Sequence, residues 1–122
     1  MEQEYIKCDI VMYDNKIHTI TDTLELNNYE LSYIEHPVHQ LELSGVLLTP
    51  EILEKNGWKD DGSDWYRLPT KRAYLYITKD ITTLDEFLVC VGIDRHNLAS
   101  INFVHQLQHL LFGLGLNSEM EV

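Results

Sequence analysis

Two histidines at helical spacing are the residues of this chain best suited to bind a metal ion or a polar ligand. His105 and His109 are four residues apart, so on a helix they share one face and could hold a single metal ion. Zinc hydrolases with this spacing have a glutamate beside the first histidine, whereas here that position is Gln106, which cannot act as a general base. We therefore predict no metal or other cofactor. Two interpretations remain: imidazoles hydrogen-bonded within a packed or intersubunit face, or side chains that bind a polar ligand.

The surrounding segment, residues 96–118, contains no Asp, Glu, Lys or Arg, although 24% of the whole chain is charged. Its pattern predicts a helix over residues 99–112, with apolar residues on one side and Asn102, His105, Gln106 and His109 on the other. A helix side that faces water normally carries Lys and Glu. A polar side without charge is therefore expected to lie against another subunit, a bound polar molecule or the rest of its own fold. Gln108, nearer the helix edge, is expected to be exposed to solvent.

The one basic cluster lies beside aromatic residues. Arg67, Lys71 and Arg72 place three of the nine bases within six residues, and Tyr74 and Tyr76 follow on one face of a predicted strand. Arginines with aromatic neighbours could hold a phosphate and stack a base, and the alternative is a solvated hairpin tip. The candidate ligand-binding residues are therefore Asn102, His105, Gln106, His109, Arg67, Arg72, Tyr74 and Tyr76.

Local signals predict an α+β fold that positions these residues. The first third alternates like a small β-sheet or SH3-like barrel, with a hairpin turn at residues 13–16. Thr49 and Pro50 begin a short helix, which Gly57 ends. A β-hairpin follows, then a third strand at residues 87–91, and last an amphipathic helix packed on the sheet. We expect one domain, residues 1–122, with a β subdomain at 1–46 and an α+β subdomain at 47–122.

Composition limits the class of partner. The formal net charge is −11, which argues against binding duplex DNA or an anionic membrane through bulk electrostatics. Cys8 and Cys90 are not in metal-binding spacing, so we interpret them as reduced, mostly buried thiols. The N-terminus has no apolar core typical of a signal peptide, and polar side chains interrupt the most apolar run. We expect a soluble, cytoplasmic protein that binds neither nucleic acid nor membrane.

Three segments resemble a family of small uncharacterised proteins from phages and mobile elements of gut bacteria. They are residues 47–58 (LLTPEILEKNGW), 65–68 (WYRL) and 103–112 (FVHQLQHLLF). Members of that family have an LTxEIL-xxxGF/W segment and end in a V/L-HQLQ-N/H helix. This chain has His109 where such proteins more often have Asn, and it has a longer acidic N-terminal part.

The resemblance implies a context and no catalytic residue. Small phage proteins of this length often act on host defence, and some are oligomers whose pockets sequester nucleotide-derived immune signals. The resulting expectation is a non-enzymatic, homo-oligomeric protein of the host bacterial cytoplasm that binds a small polar or nucleotide-like ligand. The alternatives are a protein-interaction module that uses the uncharged polar helix side, and a metal-assisted phosphoester hydrolase.

Overall fold

The computed structural model describes residues 3–62, 64–71, 73–79, 86–92 and 94–122. In chain order these residues form β1 (Ile10–Tyr13), β2 (Lys16–Thr23), β3 (Asn28–Leu31), β4 (Val38–His39), β5 (Ser44–Gly45), α1 (Pro50–Lys55), β6 (Lys59–Asp60), β7 (Trp65–Pro69), β8 (Tyr74–Lys79), β9 (Phe87–Val91), β10 (His96–Ile101) and α2 (Val104–Gly113). The strands form two five-stranded antiparallel sheets, which confirms the predicted α+β class.

The chain divides into two compact units. Unit 1 comprises Met1–Leu47 and Phe103–Met120, and unit 2 comprises Leu48–Asn102 and Glu121–Val122. Unit 1 therefore contains the N-terminal sheet together with helix α2, and unit 2 contains helix α1 and the second sheet.

The sheet of unit 1 has the strand order β4-β3-β2-β1-β5. Its first hairpin closes with Asp14 and Asn15, both in the left-handed conformation that a two-residue turn between antiparallel strands requires. One face of the sheet forms a core in which the following apolar residues are buried together: Tyr5, Val11, Ile20, Tyr29, Leu31 and Val38.

Helix α2 completes unit 1 and contacts β1. It begins after Phe103, whose N–H donates to the side chain of Gln106 at 3.0 Å, so the glutamine caps the helix start. The Phe103 ring covers Gly45 in β5, where an added Cβ would lie 2.6 Å from the ring. The predicted helix start at residue 99 is wrong, because residues 99–101 belong to a strand of unit 2.

Unit 2 begins with helix α1, and its predicted ends are confirmed. The hydroxyl of Thr49 accepts a hydrogen bond from the Ile52 N–H at 3.2 Å, and Pro50 is the first helical residue. The helix ends before Gly57, which has a φ of 88°. Trp58 is buried, and its N–H donates to the Leu53 carbonyl at 3.1 Å.

The sheet of unit 2 has the strand order β10-β9-β8-β7-β6. The predicted hairpin is β7–β8, and the predicted third strand is β9. Leu75, Ile77 and Val89 alternate along β8 and β9 and are buried on one side of the sheet. Strand β10 was not predicted from sequence; it pairs along β9 with a register shift between Asn97 and Ala99.

Candidate functional site

The structure divides the predicted ligand-binding residues between the two units. His105, Gln106 and His109 lie on helix α2 of unit 1. Unit 2 contains Asn102, Arg67, Tyr74 and Tyr76, and Arg72 lies outside the described residues.

Gln108, on helix α2, makes three hydrogen bonds to the backbone of unit 1 through its side chain. Its Oε1 accepts from the Ile10 N–H at 2.9 Å, and its Nε2 donates to the carbonyls of Cys8 at 3.0 Å and Ser118 at 3.2 Å. The residue is only 3% exposed, so the expectation that it faces solvent is wrong. The physical reason is that the first residues of the sheet lie over this side of the helix, and their backbone groups need partners once they leave water.

His109 forms the second link between helix α2 and the start of the sheet. Its Nε2 lies 2.6 Å from Oδ2 of Asp9, which is buried and also accepts from the Ile6 N–H at 2.9 Å. Burial raises the pKa of the Asp9 carboxyl, and the bonds from Ile6 and His109 offset this only in part. The imidazole therefore supplies a partner to a carboxyl group that has little access to water.

His105 is enclosed by rings. It stacks on Phe103 at a centroid distance of 5.7 Å, and it meets the ring of Tyr5 edge to face at 4.9 Å. Burial, and to a smaller extent the neighbouring His109, together lower the pKa of His105 to about 4, so the ring is neutral at pH 7. Within the described part of the chain, its Nδ1 is buried without a hydrogen-bond partner.

The rest of unit 1 therefore buries His105 on the polar side of helix α2, whereas Gln106 and His109 are of intermediate exposure. This was one of the three environments expected from the sequence. The two histidines are 5.7 Å apart between ring centroids. Across the described ranges, no three side chains from His, Cys, Asp and Glu are grouped to hold a metal ion.

A cavity of about 330 Å³ lies at the edge of these contacts in unit 1. Lys7, Cys8, Asp9 and Phe112 are among the residues that line it. Cys8 is exposed there, so the expectation that both cysteines are mostly buried holds only for Cys90. Cys8 also has a φ of 79°, a strained conformation for a residue with a side chain.

In unit 2, the strand register brings three predicted ligand-binding residues, Arg67, Tyr74 and Tyr76, to one face of the sheet together with Trp65. Arg67 pairs directly with Tyr76, and Trp65 and Tyr74 occupy alternate positions of the same two strands. These side chains lie opposite the buried residues Leu75 and Ile77. These four residues are intermediate to exposed, and Tyr74 is 45% exposed, whereas Cys90, which pairs with Tyr76 on the same face, is buried.

Arg95 contacts this face and completes an arginine–aromatic cluster, which consists of Trp65, Arg67, Tyr74, Tyr76 and Arg95. The guanidinium carbon of Arg95 lies 4.4 Å from the centre of the Trp65 ring and 4.8 Å from that of Tyr76. The guanidinium carbon of Arg67 lies 5.2 Å from the centre of the Tyr74 ring. All three distances are in the range of favourable cation–π contacts.

One carboxylate accompanies the two arginines. Asp61 Oδ1 lies 3.6 Å from Arg67 Nη1, and Asp61 Oδ2 lies 3.6 Å from Arg95 Nη2. Charge-assisted hydrogen bonds between such groups are roughly 2.7–2.9 Å long, so these are ion-pair contacts and not close hydrogen bonds. The two arginine side chains are 40% and 41% exposed, which leaves the cluster open to solvent.

Arg95 was missed from sequence because it is distant in the chain from the other bases of the cluster. It lies in the turn between β9 and β10, where its N–H donates to the Gly92 carbonyl at 3.0 Å. Recognition of the β9–β10 hairpin in the sequence would have identified Arg95. This hairpin brings its turn to the Tyr74 end of β8, where the Gly92 N–H donates to the Tyr74 carbonyl.

The arrangement suits an anion with an attached ring system. Stacking on the aromatic rings fixes the guanidinium planes, which reduces the conformational entropy that a ligand must remove. Their N–H groups can bind phosphate oxygens, and the exposed Tyr74 ring provides a surface on which a base can stack.

Among the described residues, no helix is both long and apolar enough to cross a membrane. Comparison with known proteins found no matching family model, no matching curated protein and no matching solved structure.

Proposed function

We propose that this chain is a non-enzymatic binding protein for a small, nucleotide-type ligand, and that the arginine–aromatic cluster of unit 2 is the binding site. The observation that carries the proposal is the placement of two guanidinium groups over three aromatic rings on one open sheet face.

The charge of the chain makes this placement informative. With a net charge of −11, the protein as a whole repels anions, and only nine Lys and Arg residues are present. Two of them, Arg67 and Arg95, share a single carboxylate, Asp61. Arg67, Arg95 and Asp61 together therefore have a charge of +1, which favours a small anion over an extended polyanion.

The resemblance to phage and mobile-element proteins supports a narrower form of the proposal. In that form, the protein acts against host defence by sequestering a nucleotide-derived immune signal in the bacterial cytoplasm. The chemistry of the cluster is consistent with this ligand class, since phosphate and a base are the two groups that arginine and tyrosine recognise.

The proposal is tested by calorimetric titration and thermal shift with AMP, ADP-ribose and cyclic dinucleotides. Adenosine and inorganic phosphate are titrated separately, because they distinguish stacking from phosphate binding. We expect at least one nucleotide to raise the melting temperature, since a ligand that binds only the folded state stabilises it by mass action. Substitution Arg67→Gln together with Arg95→Gln should abolish the shift.

Lys55→Gln is the matched control, because Lys55 is an exposed cation of helix α1. It removes one positive charge from unit 2 and leaves the cluster intact, so its nucleotide binding should equal that of the wild type. If no nucleotide shifts the melting temperature of the wild type, or if the control and the double variant lose binding equally, the proposal is wrong.

Protein binding is a second candidate function, and a different observation supports it. Leu26, Tyr33 and Leu41 of unit 1 are 84%, 97% and 76% exposed. Covering such side chains is favourable, and a second copy of this chain is the simplest partner. Light scattering tests this: we expect a dimer or larger oligomer whose mass falls to that of a monomer when the three residues are replaced by serine. A monomeric wild type contradicts it.

A further inference from the structure

Asp61 is held in place by the turn between β6 and β7. Its N–H donates to the Trp65 carbonyl at 2.8 Å, and the Trp65 N–H donates back to the Gly62 carbonyl at 3.1 Å. The carboxylate of the preceding residue, Asp60, accepts from the Gly62 N–H at 2.8 Å. These bonds fix the backbone at Asp61, Gly62 and Trp65, and with it the point from which the Asp61 side chain extends.

From that point the carboxylate reaches both arginines of the cluster at once. One oxygen lies 3.6 Å from Arg67 and the other lies 3.6 Å from Arg95. A carboxylate between two guanidinium groups offers one anionic oxygen to the N–H donors of each arginine. A terminal phosphate would offer its oxygens to the same donors in the same way. Asp61 is 24% exposed, so a change of side-chain rotamer can move it towards solvent without moving the turn.

We propose that Asp61 occupies, in the ligand-free protein, the position of a ligand's terminal phosphate, and that the ligand class is a phosphomonoester such as a nucleoside monophosphate. This inference depends on the proposed function of the cluster. It adds the identity of the anionic group and a residue that sets the affinity for it.

Charge balance distinguishes a phosphomonoester from a phosphodiester. A phosphodiester has one negative charge, so it replaces the Asp61 carboxylate with an equivalent charge and gains little. A phosphomonoester has a charge of roughly −1.5 to −2 at pH 7 and three free oxygens, so it neutralises both arginines and fills both donor forks. The gain in Coulomb energy and in hydrogen bonds favours the monoester.

The experiment compares AMP with 3′,5′-cyclic AMP, which share base and ribose and differ in the charge of the phosphate. Calorimetric titration of the wild-type protein should give an affinity for AMP at least about tenfold higher, the effect expected of one additional charge in partly exposed surroundings. Asp61→Asn removes the competing charge with almost no change in shape. It should raise the affinity for AMP by about tenfold, and Asp61→Ala serves as a second variant.

Glu51→Gln is the matched control, because Glu51 is an exposed acid of helix α1 and its substitution changes the net charge by the same amount. Its affinity for AMP should stay within about twofold of the wild type. Equal or weaker AMP binding by both Asp61 variants overturns the role of Asp61 and leaves the proposed function standing. Equal affinity of the wild type for the two nucleotides overturns the phosphomonoester class. Absence of binding to every nucleotide, in wild type and variants alike, refutes the proposed function itself.

Discussion

The buried imidazole of His105 makes the stability of unit 1 sensitive to acid. The side chain is 3% exposed, it packs between the rings of Tyr5 and Phe103, and its Nδ1 is without a partner among the described residues. Protonation would place a charge in this apolar setting, next to His109. The folded protein therefore binds this proton much more weakly than the unfolded chain does.

The size of the effect follows from the two pKa values. The pKa of His105 is about 4 in the folded protein, against 6.5 for an ordinary histidine. Between these values the unfolded chain binds a proton that the folded protein does not, so the free energy of unfolding falls as the pH falls. Each tenfold change in proton concentration is worth about 1.36 kcal/mol per proton, which gives a loss of about 3 kcal/mol between pH 6.5 and pH 4. Above pH 6.5 the contribution is constant.

The perturbation that tests this is His105→Phe, which keeps a ring between Tyr5 and Phe103 and removes the titrating group. Its free energy of unfolding at pH 8 should be within about 1 kcal/mol of the wild type, the range of a near-isosteric swap in a core. At pH 4 the variant should be the more stable protein by about 3 kcal/mol, since it no longer takes up this proton on unfolding. Urea denaturation followed by circular dichroism between pH 4 and pH 8 measures both quantities.

Asp9 is the nearby group whose titration has the opposite effect. Its pKa is raised by burial, so the folded protein binds its proton more readily than the unfolded chain, and acidification favours folding at this site. The wild-type profile contains both contributions, whereas the difference between wild type and His105→Phe isolates the histidine. His36→Gln, which replaces an exposed histidine, is the control for the removal of an imidazole. Parallel profiles for wild type and His105→Phe would refute the reasoning, and His105→Leu repeats the test if the phenylalanine does not fit.

Three further predictions concern packing and accessibility. Gln108→Leu should lower the free energy of unfolding by about 2–4 kcal/mol in urea denaturation, because it leaves the backbone N–H of Ile10 and two carbonyls without their partner. A decrease in this free energy of less than about 0.5 kcal/mol would mean that water replaces the amide. Gly45→Ala should lower the free energy of unfolding by about 1–3 kcal/mol in the same assay, because the added Cβ would lie 2.6 Å from the ring of Phe103. Gly113→Ala is the control: its Cβ meets nothing within 4 Å, so it should be neutral or slightly stabilising. Equal effects of the two substitutions would contradict the packing described. In labelling with a chromogenic disulfide, Cys8 should react fast because it is exposed, and Cys90 should react slowly because it is buried and burial raises the pKa of its thiol. Mass spectrometry after partial labelling identifies the labelled cysteine. Preferential labelling of Cys90 would contradict the prediction.

Local chemistry was enough to predict many of the elements. The Thr49 cap, the Gly57 stop and the turn at Asp14 and Asn15 each depend on a few adjacent residues, and the structure confirms all three. The absence of charge from the last helix likewise indicated that its polar side is shielded, and the burial of His105 agrees with that expectation. Signals of this kind are readable because the interacting groups are neighbours in the sequence.

Long-range pairing decided the rest. Residues 99–101 have the composition of a helix start, yet they form a strand because β9 offers them a hydrogen-bonded partner. Gln108 has a solvent-type side chain, but a backbone group 98 positions away in the sequence requires its amide. Arg95 is outside the basic cluster of the sequence, and only the register of the second sheet brings it to Asp61 and the aromatic rings. Neighbouring residues were sufficient to predict which segments are capped and which are uncharged. The tertiary structure alone decided which polar groups meet, because the free energy of a hydrogen bond or an ion pair depends on partners that local propensity does not specify.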